Sequence, residues 1–176
     1  AINTFVERDI QEIISDSQIF DAFRGKLILV TGATGLIGSM VARSLIAAND
    51  AYHLSLRVIC HVRNIEKAHH MFSDIVDSDI LTFVDTPLES LDIACDYIMH
   101  GAAPTKSKYF VEHPVDTIRT SIHGTERMLE LGKEQKIKGM VYLSSMEQYG
   151  VPYESGQVMT EDRIGYLDHL NVRSSY

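Results

Sequence analysis

Four consecutive apolar residues, Leu27, Ile28, Leu29 and Val30, run straight into the segment TGATGLIG, which ends at Gly38. A short apolar run ended at once by glycine is expected to form a strand buried on both faces. Beyond it, Leu36, Ile37, Met40, Val41, Leu45 and Ile46 return at helical spacing. A strand, a glycine turn and a helix therefore follow one another directly. Gly32 permits the reversal out of the strand, and Gly35 lets backbone N–H groups approach a pyrophosphate. Gly38 is expected to let the helix pack closely on the sheet. The helix start adds roughly half a positive charge and several unpaired N–H donors, so a diphosphate can bind there without a lysine. The lysine of a Walker-type loop is absent, which disfavours a nucleotide triphosphatase. Gly32, Thr34, Gly35, Leu36, Ile37 and Gly38 are the candidate phosphate-binding residues.

The remaining elements extend the same scheme. Strands are expected at 56–62, 80–84, 97–100 and 140–143, a short helix from Asn64, and a long helix over 113–135. Pro114 suits the first turn of that long helix, and Val115, Ile118, Ile122 and Leu129 are its apolar positions. Buried strands alternating with helices indicate an α/β fold with a doubly wound parallel sheet, the Rossmann type. Residues 25–176 are assigned to that dinucleotide-binding domain. Residues 1–24, with Val6, Ile10, Ile13 and Ile14 at helical spacing, form an amphipathic segment packed on the domain or on a partner. The stretch after Gly150 is polar and weakly periodic, as expected of a loop.

Composition narrows the setting. With 45% hydrophobic and 23% charged residues the chain falls in the globular range, not the disordered one. The net charge of −8 argues against a general nucleic-acid binder, which needs a basic footprint. No apolar run approaches the ~20 residues of a membrane span. Cys60 and Cys95 form no CxxC pair and read as small buried residues of a reducing, cytoplasmic compartment. The eight histidines include no HExxH pattern or closed metal set. Lys106 and Lys108 are placed in the loop after the fourth strand, more simply as solvated lysines than as substrate contacts.

The end of the second strand decides the cofactor. A dinucleotide fold usually places Asp or Glu there for the ribose 2′-hydroxyl. In this sequence Val62 and Arg63 stand there instead. Arg63 can pair with a 2′-phosphate, which favours NADP, or it can stack on adenine or face water. The expected cofactor is NAD, with NADP possible.

Further motifs carry a family resemblance. TGATGLIG is similar to the TGxxGxxG of the extended short-chain dehydrogenase/reductase family, the NAD-dependent epimerases and dehydratases of nucleotide sugars. His100-Gly101-Ala102-Ala103 resembles the family's HxAA stretch beside the nicotinamide, and Asp85 sits where the family often has an adenine-contacting acid. SSMEQYG, at 144–150, resembles its serine-to-YG segment. Within the family the likeness is greatest to UDP-glucuronate decarboxylases and sugar-nucleotide 4,6-dehydratases, carried by HGAAPTKSKYFVEHPVDTIRT, HGTERML and the stretch from Glu161 to Tyr176. The resemblance implies a nucleotide-sugar substrate, a transient 4-keto sugar and a possible homodimer. It assigns Tyr176 as the catalytic tyrosine of YxxxK, Ser145 as its serine partner and Glu147 as an additional acid/base.

Ser145 and Glu147 also have a simpler reading, as polar residues capping the end of a strand. Ser121 stands where the family usually has Asn, and the lysine four places after Tyr176 lies beyond the chain. The chain therefore looks cut before its sugar-binding portion and is expected to bind cofactor without turning over substrate. A 4-epimerase or NADP-dependent reductase of the same fold, and a non-catalytic dinucleotide sensor or scaffold, are the competing functions.

Overall fold

The computed structural model describes residues 3–75, 79–103, 107–156 and 158–170. Five parallel strands form one sheet: β1 (Leu27–Thr31), β2 (Arg57–His61), β3 (Leu81–Val84), β4 (Tyr97–His100) and β5 (Gly139–Tyr142). Their spatial order is β3-β2-β1-β4-β5. The chain thus builds outward from β1 in one direction, then returns to β1's other side, leaving a crevice between the ends of β1 and β4. Open α/β sheets bind ligands at such a reversal, outside the carboxyl ends of the strands. The doubly wound parallel sheet expected from the sequence is present. Central β1 is buried along nearly its whole length, as its unbroken apolar run requires.

Helices α1 (Thr4–Ile13), α2 (Ser17–Phe20), α3 (Leu36–Tyr52), α4 (Ile65–Met71), α5 (Ser107–Glu112) and α6 (Pro114–Gln135) complete the fold. One core joins α1, α3, β1 and β2 through Ile10, Ile14, Val30, Leu45, Ile46, Val58 and Phe72. A second lies beneath α6, from Leu29, Leu91, Ile98, Met128 and Leu131. Asn3 caps α1 by accepting the Phe5 amide, and Asn64 caps α4 by accepting the Lys67 amide. Residues 3–24 lie against α3: Ile10 and Ile14 are buried there and the Tyr52 hydroxyl donates to the Ile14 carbonyl. Arg24 reaches the His53 carbonyl just past the end of α3, at 3.0 Å. Ile13, on the flank of the helix, is exposed instead of buried.

The long helix expected over 113–135 is present as α6, but its apolar positions Val115, Ile118, Ile122 and Leu129 do not face the core. All four are exposed, and α6 buries Thr117, Gly124, Met128 and Leu131 instead. The helix carries two apolar stripes, and periodicity alone does not say which one meets the sheet. Lys108 is on helix α5, not in a loop, and pairs with Glu112 one turn later at 3.6 Å. Lys106 lies outside the described residues. Among the described residues the segment after Gly150 is irregular, as expected, apart from one antiparallel bridge between Val151 and Tyr166.

Cys60 and Cys95 are buried free thiols, and burial pushes them up to about 12 and about 11, which leaves both protonated and unreactive at neutral pH. Among the described residues no helix is long and apolar enough to cross a membrane, and no three His, Cys, Asp or Glu side chains are grouped to hold a metal.

Candidate functional site at the carboxyl edge of the sheet

Thr31 ends β1, and Gly32 turns the chain with φ of +70°. A Cβ on Gly32 would stand 2.6 Å from the Gly101 carbonyl oxygen and 2.9 Å from the Ala102 nitrogen. Both are backbone atoms, which cannot swing aside. Glycine is thus required at position 32 both for its backbone angle and for the approach of the β4 loop. Gly38 has a related role, though not quite the expected one. A Cβ there would overlap the Gly32 carbonyl, so it is the turn itself, more than the sheet, that α3 packs against.

The first turn of α3 is open to a ligand. Gly35 is its N-cap and supplies no side-chain hydrogen bond. The Gly35 amide donates to the Gly32 carbonyl at 2.9 Å, and the Ser39 amide to the Gly35 carbonyl at 3.0 Å. Among the described residues nothing accepts from the amides of Leu36, Ile37 or Gly38. Three aligned N–H groups at the positive end of a seventeen-residue helix suit a diphosphate. Leu36 is 87% exposed and Ile37 54%, an apolar pair at the rim with no packing role in the chain itself. The donors, the glycine turn and the apolar rim fit the pyrophosphate of a nicotinamide dinucleotide.

A buried polar hub joins this turn to the next strand. The Thr31 hydroxyl oxygen accepts from the amides of Gly101 and Ala102, each at 3.1 Å. Its hydrogen is then free to go to His100 Nδ1, 2.7 Å away. That fixes the histidine tautomer: Nδ1 accepts, and Nε2–H donates to the Thr125 hydroxyl of α6 at 3.2 Å. His100 is almost wholly buried, and its ring stacks on Tyr142 of β5. Burial, reinforced by the neighbouring His61, pushes the imidazole down to about 4 and keeps it neutral. Thr31 and Thr125 are absent from the sequence-based candidates. A threonine ending an otherwise apolar central strand is the one signal for the first, since its hydroxyl must find partners when buried.

The other candidates line the same edge. Gly101 and Ala102 are half-buried after β4, and Ala103 is exposed. Asp85 follows β3 and is exposed. Arg63, two residues past β2, is exposed as well. Ser145 and Glu147 follow β5, where the Leu143 amide donates to the His100 carbonyl at 2.9 Å and so ties the end of β5 to that of β4. Ser145 begins the 3-10 turn Met146–Tyr149, and its hydroxyl oxygen accepts the Glu147 amide at 3.2 Å. The capping role is therefore real, yet it uses a lone pair and leaves the hydroxyl hydrogen to donate elsewhere. Ser121 lies with Thr125 and Tyr142 along a groove between α6 and β5. Tyr176 lies outside the described residues.

Known proteins share this fold. The model of the NAD dependent epimerase/dehydratase family matches residues 28–176. The chain belongs to that family. It is 29% identical over 157 residues to UDP-glucuronic acid decarboxylase 2 of Arabidopsis thaliana, covering 87% of this chain and 33% of the relative. With dTDP-glucose 4,6-dehydratase of Streptomyces antibioticus it shares 30% identity over 129 residues, or 70% of this chain and 38% of that one. Among solved structures, dTDP-glucose 4,6-dehydratase of Streptomyces venezuelae, crystallised with NAD and TYD, matches with a TM-score of 0.66 and 22% identity. That match covers 84% of this chain and 48% of the other. UDP-glucuronic acid 4-epimerase of Bacillus cereus, in complex with UDP-glucuronic acid and NAD, matches at 0.65 and 22%, covering 80% and 46%. The chain spans between a third and a half of the length of these four relatives.

Proposed function

We propose that this family member modifies a nucleotide sugar by way of a transient 4-keto form, as a decarboxylase of UDP-glucuronate or a 4,6-dehydratase. The observation that carries the reading is the alignment of candidate groups along one sheet edge. The glycine turn follows β1, Gly101 to Ala103 follow β4, and Ser145 and Glu147 follow β5. The decarboxylase and dehydratase relatives favour these two reactions over plain epimerisation.

When bound, a nicotinamide supplies an acceptor, and later a donor, for hydride. The chain's own residues supply the rest. The Leu36, Ile37 and Gly38 amides would hold the pyrophosphate, with Gly32, Thr34 and Gly35 shaping the turn around it. Asp85 would serve the adenine end, and the backbone of Gly101, Ala102 and Ala103 the nicotinamide end. The Ser145 hydroxyl donates to the sugar oxygen that becomes the ketone. Glu147 exchanges a proton with the sugar beside that ketone, where a carbonyl weakens the bond to a carboxylate or hydroxyl leaving group. Tyr176 takes the proton from the sugar hydroxyl. An unperturbed tyrosine titrates near ~10, so it requires a positive neighbour to do so at neutral pH.

Product analysis tests the reading. The complete natural polypeptide, given UDP-glucuronate and a nicotinamide dinucleotide, is expected to release carbon dioxide if it is a decarboxylase. With a nucleoside-diphosphate glucose it is expected to eliminate water if it is a dehydratase. A product of unchanged mass and inverted stereochemistry, or turnover undiminished in Glu147→Gln, contradicts the proposal.

A further inference from the structure

We infer that Gly165 is a positioning residue for the proposed reaction: its backbone, crossed tightly over Gly150 and Val151, clamps the turn that presents Ser145 and Glu147. This rests on the reading of those two residues as the groups that meet the sugar, and adds what holds them in place.

The turn cannot hold itself. Met146–Tyr149 is a single 3-10 turn of four residues, none of them buried, and Met146 is 80% exposed. Its own hydrogen bonds are long: the Gln148 amide donates to the Ser145 carbonyl at 3.3 Å, and the Gly150 amide to the Glu147 carbonyl at 3.1 Å. The Glu147 amide reaches the Ser145 hydroxyl oxygen at 3.2 Å. Bonds in a 3-10 turn are poorly aligned, and fixing one turn costs more order than its bonds return. A contact from outside must therefore select this conformation.

Residues 165–166 make that contact, with backbone alone. The Gly165 amide donates to the Tyr149 carbonyl at 2.7 Å, and Val151 and Tyr166 exchange amide-to-carbonyl bonds at 2.9 Å each way. Three hydrogen bonds thus fasten the carboxyl end of the turn to a segment that returns from further along the chain. The approach is close enough to demand glycine on both sides. A Cβ on Gly165 would overlap the Val151 carbonyl, and one on Gly150, where φ is +69°, would stand 2.5 Å from the Tyr166 carbonyl oxygen. Among the described residues from Ser144 to Leu170, Gly165 is the single buried one. In a segment otherwise open to water, the crossing is where the backbone is shielded, so its hydrogen bonds open last.

The consequence for the chemistry is one of direction. While its oxygen accepts the Glu147 amide, the Ser145 hydroxyl is held in one orientation with its hydrogen left for a ligand. If the turn opens, the hydroxyl rotates and Glu147 loses its fixed relation to it. A misplacement of about 1 Å in such a group costs roughly a hundredfold in rate.

Two measurements test the clamp, one of them independent of turnover. In the 176-residue chain, exchange of the Glu147, Gln148 and Gly150 amides with water, read by solvent-saturation NMR, is expected to quicken at least about tenfold in Gly165→Ala. Gly156→Ala is the control. That glycine also has a positive φ, +79°, but a Cβ there meets nothing within 4 Å, so the same amides are expected to keep their rates. Tyr166→Pro deletes one of the three hydrogen bonds without adding a Cβ at position 150 or 165. It is expected to quicken the same amides, and it decides the matter if Gly165→Ala does not fold. In the complete natural polypeptide, Gly165→Ala is expected to lower kcat about a hundredfold. NAD affinity, measured by calorimetric titration, is expected to stay unchanged, because the phosphate-binding turn follows β1 while the crossing follows β5. Exchange no faster than in Gly156→Ala, an unaltered kcat, or a loss of NAD affinity in step with kcat overturns the inference. Absence of turnover in the unaltered polypeptide overturns the proposed function, and the exchange rates then decide the clamp.

Discussion

Replacing Gly32 by alanine is expected to remove about 2–5 kcal/mol of folding stability and to abolish dinucleotide binding. Two costs combine at this position. A left-handed backbone, φ of +70°, costs a residue with a Cβ about 1–2 kcal/mol. The new methyl would also stand 2.6 Å from the Gly101 carbonyl oxygen, a backbone clash that only a shift of the β4 loop relieves, at about 1–3 kcal/mol or more. That shift would pull the Gly101 and Ala102 amides off the Thr31 hydroxyl. Gly25 is the internal control. It has a similar φ, +68°, and a methyl added there would meet nothing within 4 Å, so Gly25→Ala is expected to cost only the backbone part, about 1–2 kcal/mol. Urea denaturation of the two variants measures the difference. Equal losses in both would show that the contact between the two loops carries no energy.

The second large effect is a stability loss on mild acidification, traced to His100. Its folded-state pKa lies at about 4 and its ordinary value near 6.5. Between those values the unfolded chain binds a proton that the folded chain refuses, so stability is full above pH ~6.5 and falls as the pH drops toward ~4. The total is on the order of 3 kcal/mol. His61, also held below its ordinary value by burial, steepens the same slope. The hub gives this a structural cause. A second ring proton would sit on Nδ1, facing a Thr31 oxygen whose own hydrogen then has no acceptor and which already receives two amides. Asp74 acts in a lower window. The hydrogen bond from Arg43 depresses its carboxyl below 3.8, so that contribution is present above 3.8 and is lost only below it. Denaturation midpoints measured from about pH 7.5 to about pH 4.5 are expected to fall in the native protein and to flatten in His100→Gln, whose amide can still accept from Thr31. An unchanged slope in His100→Gln would assign the acid sensitivity elsewhere.

These two residues also mark the limits of what the sequence reveals. The run from Leu27 to Gly38 is legible because strand, turn and helix are neighbours, and each leaves a local pattern: an unbroken apolar run, regular glycines, then helical spacing. The parallel sheet follows from repeating that pattern. Thr31 and His100 are 69 residues apart, so their hydrogen bond exists only after β4 has paired beside β1. The correct face of α6 is hidden for a related reason. Both of its stripes have helical period, and the position of Leu88, Leu91 and Ile98 beneath Met128 and Leu131 decides which is buried. Helix α5 escapes a periodicity reading because a six-residue segment spans too few turns to display a period. At the site, Ser145 and Glu147 stand out by family likeness, and the hydrogen bond that makes Ser145 a cap is visible only in the geometry.

In the proposed reading a dinucleotide is held chiefly by the three amides that open α3, from which nothing among the described residues accepts. Isotope-labelled protein titrated with NAD, followed by amide resonances, examines them one by one. The predicted result is that Leu36, Ile37 and Gly38 show the largest shifts, saturating together with the calorimetric binding curve. Contradiction would be saturation of the ligand with those three resonances unmoved, its contacts lying on another part of the surface.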